Sequence, residues 1–161
     1  MIDIKIYGDK ILKQKCASVS SRELSDLQDF IEMMTKRVTN DEGAAGLAAP
    51  QLGLKKRIAV IGLEDKVYVL INPKITKKSR QKEKGQEGCL SLPGVYVNVK
   101  RPKEVEIEFL NRKGETQKIK AKDFLARVMQ HEIDHLNGRL IVDGLNFFKR
   151  RKIKQEMKRY L

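Results

Sequence analysis

The sequence predicts an α+β fold, with antiparallel strands around a central helix that carries the chain's two histidines. Three observations predict it. Apolar residues recur at steps of three and four in separate segments, which is helical spacing. Val- and Ile-rich runs are joined by short polar breaks, which is hairpin spacing. Helices and strands are interspersed without a strand–helix–strand rhythm, which argues against a parallel sheet. At 161 residues, 40% hydrophobic and 34% charged, the chain reads as one domain over 1–161 with a core of its own. That balance excludes a disordered chain. No apolar run approaches the ~20 residues of a membrane span. The opening MIDIKIYGDK mixes Asp with Lys and has no apolar signal core. No membrane partner and no signal peptide are expected, and the location implied is the cytoplasm. Two cysteines, Cys16 and Cys89, are too few for a disulfide framework, so each is read as a free thiol or a ligand.

Each element has its own signal. Ser20 followed by Glu23 is a capping box, and Leu24, Leu27, Ile31, Met34 and Val38 then place a helix over about 21–39. Arg57–Leu63 and Lys66–Asn72 read as two strands of a hairpin. From Lys103 to Leu110, Val105, Ile107 and Phe109 alternate with Glu104, Glu106 and Glu108, a half-exposed strand. Asn111–Gly114 is a turn, with a return strand over Glu115–Lys120. Asp123 is read as the N-cap of a helix over 124–136, which Asn137 and Gly138 end. A last helix is expected over about 145–161, after Asp143.

Charge is regional. The net charge is +13, and 11 of those charges sit in two short stretches, residues 74–84 and 145–161. Such runs are usually a solvated loop and a solvated helix face. They also suit a polyanionic partner.

His131 and His135 stand four apart on a predicted helix with Glu132 between them, in the run HEIDH. Positions i and i+4 share a face, so both imidazoles reach one metal ion with the carboxylate beside it. Cys89 lies in EGCLS, where Gly88 permits close backbone approach. Its flanks are polar and tight, which favours a thiolate ligand over a buried structural cysteine. Cys16, in LKQKCASVS, reads as a small side chain in a loop. In GLAAPQLG, residues 46–53, small residues leave room for a backbone or a ligand, and Gln51 ends the run as a neutral donor. The bland alternative is a tight turn with Gln51 exposed.

Taken together, AAGLAAPQ (44–51), EGCLS (87–91) and HEIDH (131–135) resemble the three ordered motifs of the peptide deformylases. The flanking YGDKIL, PGVYVNVKRP and HLNGRLIVD are similar too, so the resemblance covers nearly the whole chain. Ala44 stands where the family's opening motif has Gly, and Lys10 where Pro is usual. The resemblance implies a single catalytic domain that removes the N-formyl group from the N-terminal formylmethionine of nascent polypeptides and releases formate. It implies Cys89, His131 and His135 as metal ligands, with Glu132 and Gln51 catalytic. Leu90 would add a backbone N–H at the oxyanion. Fe(II) is the ion implied, with Zn(II), Ni(II) or Co(II) as alternatives. Substrate would meet Ala45, Gly46, Gly88, Leu90, Phe124 and Val128, lying extended beside 44–46 as an added strand. Glu87 and Asp134 are the candidates to orient the imidazoles, and Arg101 could pair with either. The basic C-terminal helix would dock on ribosomal RNA near the exit tunnel. Two rivals remain at this point. An HExxH endopeptidase would need Glu156 as third ligand. A non-catalytic RNA-binding relict would have lost a site residue, and none is lost.

Overall fold

The computed structural model describes residues 3–40, 43–63 and 65–160. A five-stranded antiparallel sheet forms its centre, in the order β1-β2-β3-β6-β7. These strands are Gly46–Ala48, Ile58–Leu63, Lys66–Lys78, Glu104–Leu110 and Thr116–Lys122. β4 (Lys82–Glu87) and β5 (Val97–Pro102) pair separately as a two-stranded ribbon. The long apolar run of β2 follows from burial on both faces. Ile58 and Val60 pack with Ile31, Met34 and Val38 of one helix, whereas Ala59 and Ile61 pack with Met129, Ile133 and Leu136 of another. Fully burying each such large side chain stabilises the fold by about 1.5–3 kcal/mol.

The predicted first helix is two, α1 (Ser21–Asp26) and α2 (Gln28–Asn40). The capping box forms, with Ser20 N–H on Glu23 Oε2 at 2.8 Å and Glu23 N–H on Ser20 Oγ at 3.3 Å. The break comes at Leu27. There the Leu24 carbonyl accepts from the Gln28 side chain at 3.0 Å, while the apolar stripe continues across the break.

The β2–β3 hairpin closes at Leu63 and Lys66 as expected. The Lys-rich segment beyond it is strand rather than loop. β3 continues to Lys78 and pairs with β6, setting Lys74 opposite Glu108 and Lys77 opposite Glu106. β7 answers β6 from the other side, with Lys118 at 3.3 Å from Glu108, and Lys120 and Lys122 at 3.5 and 3.3 Å from Glu104. Opposite charges facing across strands convert a solvated run into a ladder.

The histidine-bearing helix α3 (Asp123–Leu136) has its expected span but not its expected cap. Lys122 is the N-cap residue and no side chain bonds there. Asp123 has φ of 51°, and its carboxylate pairs with Lys103 at 3.4 Å. Asp143 does not cap the last helix; it accepts Leu140 N–H at the start of the short 3-10 helix Ile141–Gly144 and pairs with Lys13. The last helix, α4 (Phe147–Met157), starts at Asn146, whose side chain accepts Lys149 N–H at 3.0 Å. Leu161, the end of the predicted helix, lies outside the described residues. Ile153 and Met157 seat α4 against Leu92, Val97 and Leu140–Val142. Cys16 is in a loop as read, but buried in the α3-side core.

Candidate active site

Three segments distant in sequence converge on one side of α3. His131 and His135 share a helix face, their ring centroids 5.0 Å apart. The turn after β4 brings Cys89 to them, with Sγ 3.3 Å from His135 Nε2. One donor atom from each of the three lies within 4.8 Å of the others. The 3-10 turn after β1 (Ala49–Leu52) supplies Gln51. This side chain is buried, not exposed, and fixed at both ends. Its Oε1 accepts Ala48 N–H at 2.8 Å, and its Nε2 donates to Ser91 Oγ at 3.2 Å and reaches Cys89 Sγ at 3.6 Å.

Glu87 is the hub behind these three side chains. Its carboxylate accepts from Arg101 Nε and Nη2 at 2.6 and 2.9 Å, from Arg127 Nη1 at 2.7 Å, and meets His131 Nδ1 at 3.0 Å. Burial works to raise its pKa, yet His131 and Arg101 outweigh burial and hold it at about 2. Of the two candidate orienters, Glu87 therefore holds an imidazole. Asp134 holds Arg101 instead, at 2.7 Å from Nη1. Arg101 pairs with both carboxylates rather than choosing one.

Glu132 is 4% exposed, and its Oε2 has no partner among the described residues. Burial pushes its pKa up to about 7, against the pull of His131 and Arg101. Gly46 makes this seat possible. A Cβ at Gly46 would stand 2.6 Å from Glu132 Oε1. Burial, with His131 adding to it, drives the His135 pKa well below its ordinary value and leaves that ring neutral. His131 feels burial as well, but Cys89, Glu87 and Glu132 hold its pKa at about 10.

The donor set suits a divalent transition metal. It offers a cysteine sulfur, a neutral imidazole, and a second imidazole whose Nδ1 is tied to a carboxylate so that Nε2 would be left for an ion. The anions that keep a proton on His131 would equally hold a cation in its place.

A cavity of about 320 Å³ opens in front of these groups. All the residues expected to meet substrate line it: Ala45, Gly46, Gly88, Leu90, Phe124 and Val128. Phe124 is 55% exposed and forms the rim, whereas Val128 is buried. His135 stands behind the cavity wall. The Leu90 N–H makes no hydrogen bond to a described residue. β1 is an edge strand of the sheet. Gly62 N–H takes the Ala45 carbonyl at 3.0 Å, so the ladder's alternation turns the Gly46 N–H and C=O away from β2. Ala48, two residues on, faces the same way and is met by Gln51. The open edge is thus carried by Gly46, and the Ala45 carbonyl is already used.

Sequence reasoning missed three participants. Ser91 anchors Gln51. Tyr96, 67% exposed, lines the cavity beside Gly88. Arg127 ties Glu87 to the Val99 and Glu83 carbonyls of the β4–β5 ribbon at 3.0 and 2.9 Å. Arg127 was findable, since it stands four residues before His131 on the same face. Glu156, the third ligand an endopeptidase would need, lies exposed on α4 in a different groove.

A cysteine and two histidines beside a buried glutamic acid, facing a cavity bordered by the open side of an edge strand, are the site of a metal-dependent amide hydrolase. The polypeptide deformylase family model matches residues 1–151, and the chain belongs to that family. It is 40% identical over 170 residues to the peptide deformylase of Rickettsia akari (strain Hartford), covering 99% of this chain and 95% of the relative. It is 40% identical over 163 residues to that of Thermodesulfovibrio yellowstonii, covering 98% and 97%. Among solved structures, the peptide deformylase of Thermotoga maritima superposes with a TM-score of 0.84 at 35% identity, covering 89% of this chain and 96% of that one. The Ehrlichia chaffeensis peptide deformylase in complex with actinonin gives 0.87 at 34% identity, covering 99% and 97%. Peptide deformylases are metal-dependent hydrolases that remove the N-formyl group from nascent polypeptides. No helix among the described residues is long and apolar enough to cross a membrane.

Proposed function

We propose that this site deformylates N-formylmethionyl chains with Glu132 as its proton carrier and Cys89, His131 and His135 as the ligands of one divalent ion. Fe(II) is the ion we assign, following the resemblance to the peptide deformylases; a cysteine sulfur with two imidazoles would hold Fe(II), Zn(II), Ni(II) or Co(II) through the same donors. When bound, the ion supplies Lewis acidity, which makes water a nucleophile near neutral pH and draws charge from the formyl oxygen. The observation that carries the reading is the buried, unpartnered Oε2 of Glu132 beside the three donors. A carboxyl with its pKa near 7 can accept the water's proton and then return it to the leaving amine. The Gln51 amide, pinned by Ala48 and Ser91, and the free Leu90 N–H are the donors for the oxyanion. Leu90 and Val128 give the methionine side chain apolar walls, Phe124 closes the rim, and Gly88 leaves room at Tyr96. The peptide backbone adds to the β1 edge at Gly46, beside Ala45.

The partner we assign to α4 is ribosomal RNA near the exit tunnel, and the location is the cytoplasm, where formylated chains are made. Two features support this. None of the seven cations between Lys149 and Arg159 makes an ion pair with a described carboxylate, and Phe147 and Phe148 are 60% and 79% exposed.

Glu132→Gln tests the proton carrier. The variant keeps all three donors, so metal content stays at wild-type level. Formate release from a formylated peptide falls by more than the ~10²–10⁴ of general-base catalysis, because the same group also serves the amine. Near-normal turnover in a metal-loaded variant would overturn the assignment.

A further inference from the structure

On the β4–β5 ribbon, alternate residues divide between two faces. Glu87, Val97 and Arg101 face the site and are buried. Lys82, Lys84, Gln86, Asn98 and Lys100 face outward and are exposed. Lys84 stands directly opposite Lys100 in the ladder. Like charges in that relation destabilise a strand pair, and neither lysine has a described carboxylate within ion-pair distance. The five-stranded sheet treats its lysines differently. There Lys77, Lys118, Lys120 and Lys122 each meet a glutamate on the neighbouring strand. The five-stranded sheet pairs four of its lysines with glutamates across strands, whereas the ribbon pairs none of its lysines with a described carboxylate.

The unneutralised face borders a groove of about 580 Å³ between the ribbon and α4. Lys84, Val97 and Asn98 line it from the ribbon, Lys149 and Lys152 from the helix, and Glu156 is the carboxylate among its lining residues; Lys82 and Lys100 carry the outward face on beyond that lining. Gly94, Val95 and Tyr96 line both this groove and the catalytic cavity, so the two open side by side.

We propose that the outward face of the β4–β5 ribbon and α4 are the two walls of a groove that binds the phosphate backbone of RNA. The proposal rests on the reading of α4 given above and extends it to a second, rigid wall. A repeating polyanion fits better than a single anion. Lys82 and Lys84 are two strand residues apart, about 6.8 Å, and the helix cations continue the series across the groove. A nucleic-acid backbone carries one charge per nucleotide at regular spacing, which a fixed row of lysines can match. RNA seated there would lie beside the cavity in which the peptide N-terminus is processed.

The test is the salt dependence of binding to purified ribosomes, measured for the full chain, for Lys84→Gln/Lys100→Gln and for a chain lacking residues 149–161. Each phosphate contact adds about 0.7–0.9 to the slope of log affinity against log salt. The double variant should lower that slope by about 1 to 2, and Lys84→Arg/Lys100→Arg should restore it. Turnover of a short formylated peptide should be unchanged, since neither lysine touches the site. An unchanged slope in the double variant overturns the ribbon wall, and the reading of α4 survives if the deletion alone abolishes binding. If the double variant lowers the slope and the deletion does not, the ribbon stands and α4 falls. If ribosome binding is unchanged but the double variant loses turnover on formylated peptides with glutamates downstream, the groove belongs to acidic substrates and the RNA assignment is overturned.

Discussion

Gly46 shows how one absent atom sets the chemistry. Its missing Cβ is the space that Glu132 Oε1 occupies. Gly46→Ala should fold, because the site is at an edge strand and the neighbour is a side chain. Glu132 would then have to move, and misplacing a reacting group by about 1 Å costs roughly 10²-fold. We expect turnover to drop by that order with metal content unchanged; a variant with unimpaired turnover would show that the seat of Glu132 is not critical. Glu87 works in the opposite sense, by abundance of partners. Its folded pKa of about 2 lies below its ordinary value of 4.5. The stability it confers is complete above about pH 4.5 and is lost as pH falls through 2. Removing one partner of a buried charge cluster costs about 3–5 kcal/mol. Glu87→Gln should therefore be less stable at pH 7 by that amount, and its stability should vary less between pH 4.5 and 2. Urea unfolding across that pH range measures both, and an unaltered pH dependence would remove Glu87 from this role.

At the scale of elements, α3 organises the site because it carries three of its groups and is buried along one flank against the sheet. The other elements come to it. β1 ends in the turn that presents Gln51, and β4 ends at Glu87, two residues before Cys89. Arg127 and Arg101 bind that ribbon to the helix through charge rather than through an apolar face. This explains why a segment as polar as KEKGQE is a strand at all. Its carbonyls and its glutamate are held by Arg127 from α3, and its backbone by β5.

At the scale of the whole molecule, metal binding at the proposed site would couple to folding, because Cys89 lies 42 residues before His131 and the donors meet only in the folded chain. Loading with Fe(II), Ni(II) or Zn(II) should raise Tm, and an ion at a hundred times its Kd adds about 2.7 kcal/mol of stability. The gain should shrink as pH falls, since each ligand must be deprotonated and His131 holds its proton strongly. Thermal unfolding with and without chelator at pH 8 and pH 6 checks the sign. A Cys89→Ser variant that shows the same metal-dependent rise would strike Cys89 from the ligand set.

Local pattern was enough for part of this protein. The spacing of HEIDH, the alternation of Glu104–Leu110, the Ser20–Glu23 box and the small residues around Gly46 each act within a few neighbours, so each could be read in isolation. The β-ribbon could not be read, because KEKGQE lacks strand propensity and owes its conformation to Arg127 and β5. The same is true of residues 74–78, which become strand by facing the glutamates of β6, some thirty residues later. Cys16 has polar neighbours in sequence and Gln51 is itself polar, yet both are buried by elements that meet only in the fold. Which carboxylate orients His131 was likewise decided in three dimensions. Glu87 and Asp134 are equally suitable by chemistry, and only the docking of the ribbon against α3 brings Glu87, and not Asp134, within 3.0 Å of the ring.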